Sequence, residues 1–353
     1  MREVKMMRWT APAALAVSVM LGACGDSGRD GQPLRPRERD MRVFAQNKRL
    51  ARGVNILGYD PGWSAPDKRR MQGEHFRLIR QAGFSHVRIP LHPFEHMAEA
   101  NEGYRVEAAW FAMLDWALEQ AQANDLMAIL DCHEFHSMAR DPEGLKPKWL
   151  AFWRQIAARY AGAPDTVLFE LLNEPNGALT PKLWNGFLAE ALALVRQTNP
   201  KRTIVTGPGQ WNQIAKLDEL VLPESDRSIV VTVHYYEPFE FTHQGASWAG
   251  REHDLGHQWQ ATESERRPIE RDFLTAQRWA KQQERPILLG EFGAYDRADM
   301  SSRVRWTSFV ARLAESHGWS WAYWQFDSDF VVYDIDASKW VEPIRDALVP
   351  PAE

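Results

Sequence analysis

Two glutamates each close a short apolar run: Glu174 in Leu171-Leu172-Asn173-Glu174-Pro175, and Glu291 in Leu288-Leu289-Gly290-Glu291-Phe292-Gly293. Strands buried on both faces of a parallel sheet read as unbroken Val, Ile and Leu, and in barrel folds the chemistry sits where such strands finish. Two carboxylates so placed can face one another across a barrel mouth. Glycosidic-bond hydrolysis requires such a pair, one carboxyl as general acid and the other as nucleophile or base.

Other strand ends carry polar or aromatic groups as well: Asn55, Arg88 in His86-Val87-Arg88-Ile89-Pro90, His133, Asn173, His234-Tyr235-Tyr236 and Trp324. Each alone has a structural explanation. Arg88 can pair with a buried acid, the two histidines can be satisfied in the core, and Trp324 can close a barrel. Their joint placement at strand ends is what points to a site.

The elements that must position them alternate between apolar strand-like runs and longer amphipathic segments, the pattern of an α/β fold. Strands are expected at Gly53–Leu57, His86–Leu91, Met127–Cys132, Val167–Leu172, Thr203–Thr206, Ile229–Tyr235, Ile287–Glu291 and Trp319–Trp324. Eight of them predict a single (β/α)8 barrel of the TIM type, with the site at the C-terminal ends of its strands, over residues 46–350. Between them, apolar residues recur at helical spacing, as in Phe76 and Ile79, then Trp110, Leu114 and Leu118, then Leu150, Trp153 and Ile156. Thr180-Pro181 reads as a helix start, and Gly83, Gly162 and Gly318 as stops. The long, polar connection from Tyr236 to Arg285, with one helix expected near Phe273–Gln283, should overhang the cleft. Within it, Trp248 and Trp259 either line outer sugar subsites or pin the loop. Trp110, Trp153 and Trp306 are expected to pack helices on the barrel.

Arg52-Gly53-Val54-Asn55, Arg88-Ile89-Pro90, Asn173-Glu174-Pro175, His234-x-Tyr236, Gly290-Glu291-Phe292-Gly293 and Trp324 together resemble glycoside hydrolase family 5, the cellulase family, over residues 46 to 345. The resemblance implies Glu174 as acid/base and Glu291 as nucleophile of a retaining enzyme, with no cofactor. It implies that Arg88 and the Tyr236 hydroxyl keep Glu291 ionised. Glu174 is then expected to start protonated, partly through the nearby Glu291 anion. It further places His234 beside Glu174, Asn173 at the sugar 2-hydroxyl, His133 in the same subsite, and Trp324 beneath the reacting sugar. Endo-hydrolysis of β-1,4-glucan is the expected activity. Mannan, xyloglucan or another β-glucan are alternative substrates, and a non-catalytic glycan-binding lipoprotein is the alternative of a different kind.

Weaker signals carry less. Asp131-Cys132-His133-Glu134-Phe135-His136 has metal-capable side chains but lacks the helical His-Glu-x-x-His spacing, so no metal is expected. Cys132 reads as a small buried residue. Glu170, on the same strand face as Glu174, reads as a structural partner for a basic residue. The aspartates 327, 329, 334 and 336 lack the order of a calcium loop and read as a solvated loop.

Composition narrows the partners. A net charge of -5 with scattered Lys and Arg gives no stripe for nucleic acid. Sixteen tryptophans exceed what core packing usually needs and suit a protein that stacks sugars. Arg2, Lys5 and Arg8 precede an apolar stretch from Trp9 to Met20, the form of an export signal, and Leu21-Gly22-Ala23-Cys24 resembles a bacterial lipobox. Residues 1–23 are thus expected to be a lipoprotein signal, Cys24 an acylated anchor, and 24–45 a flexible linker, with membrane contact through the lipid alone. An ordinary secretory peptide leaving Cys24 as a free thiol is the other reading. Export, a lipid-anchored location and a monomer are expected. No second domain is expected beyond about Pro350, which favours soluble or amorphous glycans over crystalline ones.

Overall fold

The computed structural model describes residues 36–351; the expected signal peptide, Cys24 and the first part of the linker lie outside the described residues. Eight strands form a closed, all-parallel barrel in sequence order: β1 (Arg52–Asn55), β2 (His86–Leu91), β3 (Met127–Cys132), β4 (Val167–Glu170), β5 (Ile204–Thr206), β6 (Ile229–Tyr235), β7 (Ile287–Phe292) and β8 (Ser320–Tyr323). β1 closes the ring on β8 through the register Gly53↔Ala322. Three strands match their expected bounds. β1, β4, β5 and β8 are shorter, and β7 runs one residue further. The difference at β4 is one of pairing geometry: Leu171 N still reaches Val205 O at 3.1 Å, and Asn173 N reaches Cys132 O at 2.9 Å, after the regular ladder has ended.

Side-chain alternation divides the barrel into an outer, helix-covered core and an interior. On β3, Ala128, Leu130 and Cys132 join the outer core. Met127 and Ile129 meet Leu168, Val205, Val230 and Leu288 inside. The interior is therefore apolar low down, and the inward positions above it, Asp131 on β3, Glu170 on β4 and Thr232 and His234 on β6, are polar towards the mouth. Trp110, Trp153 and Trp306 are fully buried in the outer core, as expected of helix-to-barrel packing.

The largest departure from expectation is α1 (Pro36–Leu50), which begins inside the stretch assigned to a flexible linker through residue 45. Its buried positions Val43, Gln46, Asn47 and Leu50 make one stripe, in which only two residues are apolar. Val43 and Leu50 enter the interior cluster and close the barrel floor, each worth about 1.5–3 kcal/mol when fully buried. The amides are satisfied by the barrel itself. Asn47 Nδ2 donates to Ile287 O at 3.1 Å, Asn47 Oδ1 accepts from Ser320 Oγ at 2.7 Å, and Gln46 bonds Asp165 O and Thr203 Oγ1.

Helix signals elsewhere hold in the structure. Thr180 Oγ1 accepts from Leu183 N at the start of the helix Pro181–Arg196, and Gly83 and Gly318 take the positive φ of helix stops. The helix in the long connection spans Glu263–Gln283, ten residues more than expected. Its first turns are charged and lack an apolar stripe, but Thr262 and Glu265 form a reciprocal cap that starts it. No helix among the described residues is long and apolar enough to cross a membrane.

Candidate active site

Local geometry explains how the strand ends present their side chains. On β7 the register slips at Gly290, so that His234 pairs with Glu291 rather than with Gly290. A Cβ at Gly290 would lie 2.4 Å from Thr232 Oγ1, so only glycine fits this bulge. Past β4, Glu174 takes a positive φ of 40°, a conformation that costs a non-glycine residue about 1 kcal/mol or more and that clusters at functional sites.

Arg88 is the hub. Fully buried, its Nη1 donates to Glu291 Oε1 at 2.7 Å and to Asn55 Oδ1 at 2.8 Å. Nη2 donates to Asn173 Oδ1 at 2.8 Å, and Nε and Nη2 form a fork on Glu170 at 2.7 and 2.9 Å. Asp131 lies 3.0 Å from Nη2. Glu170 is thus the buried partner that its strand position suggested. Asn55 Nδ2 in turn donates to Gly290 O at 3.1 Å and Tyr323 O at 3.2 Å, tying β1 to the bulge.

The two glutamates meet across the mouth. One oxygen of each and a ring nitrogen of His234 all lie within 4.8 Å of one another. His234 Nδ1 is 2.7 Å from Glu174 Oε1 and 3.6 Å from Glu291 Oε2, and the Tyr236 hydroxyl donates to Glu291 Oε2 at 3.0 Å. This spacing fits double displacement, for which the carboxyl groups stand about 5–5.5 Å apart, and leaves no room for the water that inversion places between them.

Burial pushes the Glu174 carboxyl up to about 8; Arg88 opposes this, and Asp131 and Glu170 add to it. Burial is the main cause that keeps Glu174 protonated, with the Asp131 and Glu170 carboxyls adding to it, and the mutual repulsion of Glu174 and Glu291 raises proton binding within the pair. Glu291 has the expected contacts with Arg88 and Tyr236, yet burial outweighs them and raises it to about 7, against the pull of His234 and Arg88. Burial lowers His234 to about 4, so its bond to Glu174 is that of a neutral ring.

Trp324 and His133 lie face to face, with centroids 5.5 Å apart and planes at 10°. Tyr59, exposed at the rim, stands edge-on to Trp324 at 6.4 Å. Trp211, also exposed, borders an open depression of about 400 Å³ that includes Gly177 and Thr180, just beyond Glu174. Asn212 Nδ2 approaches His234 Nε2 at 3.4 Å. Sequence reasoning missed Tyr59, Trp211 and Asn212, which follow β1 and β5 without any strand-end pattern of their own. Trp259 is buried and pins the long connection, whereas Trp248 is exposed against Tyr295. The aspartate loop after β8 is braced by Arg70, which pairs with Asp327 and Asp336 at 3.0 Å. Cys132 is fully buried, and its thiol is pushed up by that burial.

Among the described residues, Glu174, His234 and Glu291 form the group with ligand-atom spacing suited to a metal ion. Both Glu291 oxygens are already engaged, by the Arg88 cation and the Tyr236 hydroxyl, so the set is better matched to acid and nucleophile duty than to holding a second cation.

Comparison with known proteins agrees with this geometry. The family model for cellulase (glycosyl hydrolase family 5) matches residues 46–329. Endoglucanase Cel5A from the hyperthermophilic Thermotoga maritima superposes with a TM-score of 0.82 at 41% identity, covering 87% of this chain and 99% of that one. The cellulose synthase subunit Z of Clostridioides difficile gives 0.80 at 36% identity, covering 85% and 99%. Endoglucanase H of Acetivibrio thermocellus is 27% identical over 319 residues, covering 87% of this chain but 34% of that protein, so the chain spans about a third of the relative's length. With the family model spanning most of the chain and the paired carboxyls in place at the barrel mouth, the chain belongs to glycosyl hydrolase family 5, the cellulase family.

Proposed function

We propose that the protein is a retaining, endo-acting β-1,4-glucanase. The observation that carries the reading is the close approach of Glu174 and Glu291, with His234 on Glu174 and with Arg88 and Tyr236 on Glu291. Glu174 protonates the leaving oxygen while Glu291 attacks the anomeric carbon, and Glu174 then takes a proton from the water that releases the glycosyl-enzyme. Asn173 holds the sugar 2-hydroxyl, and Trp324, lying on His133, stacks beneath the reacting ring. The relatives named as endoglucanases favour glucan. Mannan is the second substrate to test, because a Thermotoga maritima Cel5A structure at 40% identity is described in complex with mannotriose.

Reducing-sugar release and viscosity loss on carboxymethyl cellulose, mixed-linkage glucan, xyloglucan, mannan and laminarin test the activity and name the backbone. Glu174→Gln and Glu291→Gln should abolish turnover while leaving oligosaccharide binding; unchanged rates in either variant would end the assignment. A folded wild-type protein that binds these glycans and cleaves none would favour the binding-protein reading.

We also propose export and anchoring through acylated Cys24, supported by the charged start, the apolar stretch and the Leu-Gly-Ala-Cys motif. Mass spectrometry of the membrane fraction should find the lipid on Cys24, and Cys24→Ser should release the protein. Retention of Cys24→Ser in the membrane would count against it.

A further inference from the structure

Asp131 takes no step in the chemistry above, yet it is fully buried at the centre of the site. Its Oδ2 lies 3.0 Å from Arg88 Nη2 and 2.6 Å from His133 Nδ1. The same Arg88 nitrogen donates to Asn173 Oδ1, which turns the Asn173 amide nitrogen towards His133 Nε2 at 3.4 Å. An amide nitrogen only donates, so Nε2 accepts and the ring proton sits on Nδ1, where Asp131 receives it. The four side chains close a ring of contacts, three of them hydrogen bonds, from His133 to Asp131, from Asn173 to His133 and from Arg88 to Asn173, and the fourth the ion pair of Arg88 with Asp131.

That ring governs surfaces a sugar would meet. The His133 plane sets the plane of Trp324, 5.5 Å away and nearly parallel. Asn173 keeps one amide proton free of the ring. We propose that Asp131 is a positioning residue: it selects the Nδ1–H form of His133, through it orients Trp324 and Asn173, and places a carboxylate beside the two glutamates. The inference rests on the acid and nucleophile reading of those glutamates.

The charge acts within a crowded set. Arg88 comes from β2, His133 from the end of β3, Glu170 and Glu174 from β4 and its continuation, His234 and Tyr236 from β6 and its end, and Glu291 from β7. His92 packs against His133, and Tyr59 closes the rim. Among these, Asp131 strengthens proton binding at both Glu174 and Glu291, while Arg88 weakens it.

Asp131→Asn keeps an oxygen able to accept from His133 but removes the charge and with it the ion pair to Arg88. Both limbs of its pH profile for kcat/KM should move to lower pH by about half a unit or more. Asp131→Ala also frees His133, and KM should rise about tenfold. In the intact wild-type chain, nitrogen-15 histidine spectra should show the His133 proton on Nδ1 from pH 5 to 8. An Nε2–H form, or Asp131→Asn limbs that coincide with wild type, would overturn the proposal. If the wild-type protein proves inactive on every glycan, the glycosidase reading fails, while the spectrum still decides the tautomer.

Discussion

Replacing Glu174 by Gln should make the protein more stable at alkaline pH and leave its stability unchanged under acid. Burial raises this carboxyl from its ordinary 4.5 to about 8. Between those values the folded chain holds a proton that the unfolded chain has released, so the contribution of Glu174 to stability falls as pH rises through the window and is level on either side. At about 1.4 kcal/mol per unit the full window is worth about 5 kcal/mol. The side chain keeps 12% of its surface exposed, and residual hydration reduces the figure to about 3 kcal/mol. Gln carries no proton to lose. Melting curves should therefore nearly coincide at pH 4.5, and by pH 8 the variant should melt about 4 °C higher, taking about 1.5 °C per kcal/mol from an unfolding entropy of about 2.1 cal/mol/K per residue. Comparing the two proteins cancels most of what the other buried acids contribute. A melting difference that is the same at pH 4.5 and pH 8, or a Gln variant less stable at pH 8, would refute the reasoning.

Tyr236→Phe removes the hydroxyl that stabilises the Glu291 anion; the acidic limb of the activity profile should move to higher pH, and a limb that stays put would deny the bond its role. Trp324→Ala should raise KM about fivefold for a loss of about 1 kcal/mol of stacking, read by titration with oligosaccharide as well as by kinetics. Unchanged binding would remove Trp324 from the sugar platform. Leu50→Ala should cost about 2–5 kcal/mol of stability through a cavity in the barrel floor, with kcat preserved; a fall in kcat at permissive temperature would show that the floor reaches the chemistry.

The barrel was legible because its strands are buried on both faces, which leaves apolar runs such as Val230 and Val231 on β6 that loops lack. The carboxyl pair was legible because each glutamate stands where such a run ends. α1 was not: its buried stripe is half amide, and the partners that make Gln46 and Asn47 acceptable inside are backbone and hydroxyl groups far along the chain, on β7 and β8 for Asn47 and just ahead of β4 and β5 for Gln46. Asp131 shows the same limit at the site. Beside Cys132 and His133 it reads as one of several metal-capable residues, and only the fold brings Arg88 and Asn173 to it. The strength of burial was hidden for a like reason. The ions around Glu291 can be anticipated from strand ends, but the loss of water that outweighs them depends on how completely the mouth is packed.

The placement of α1 gives the protein a direction of mounting. Whatever is joined ahead of Pro36 meets the barrel at the floor, on the side away from Glu174 and Glu291. A lipid, a resin bead or a fused partner attached there therefore leaves the cleft facing outward, towards a polymer arriving from solution. Exchanging one attachment for another should alter where the enzyme works and leave the cutting itself unchanged.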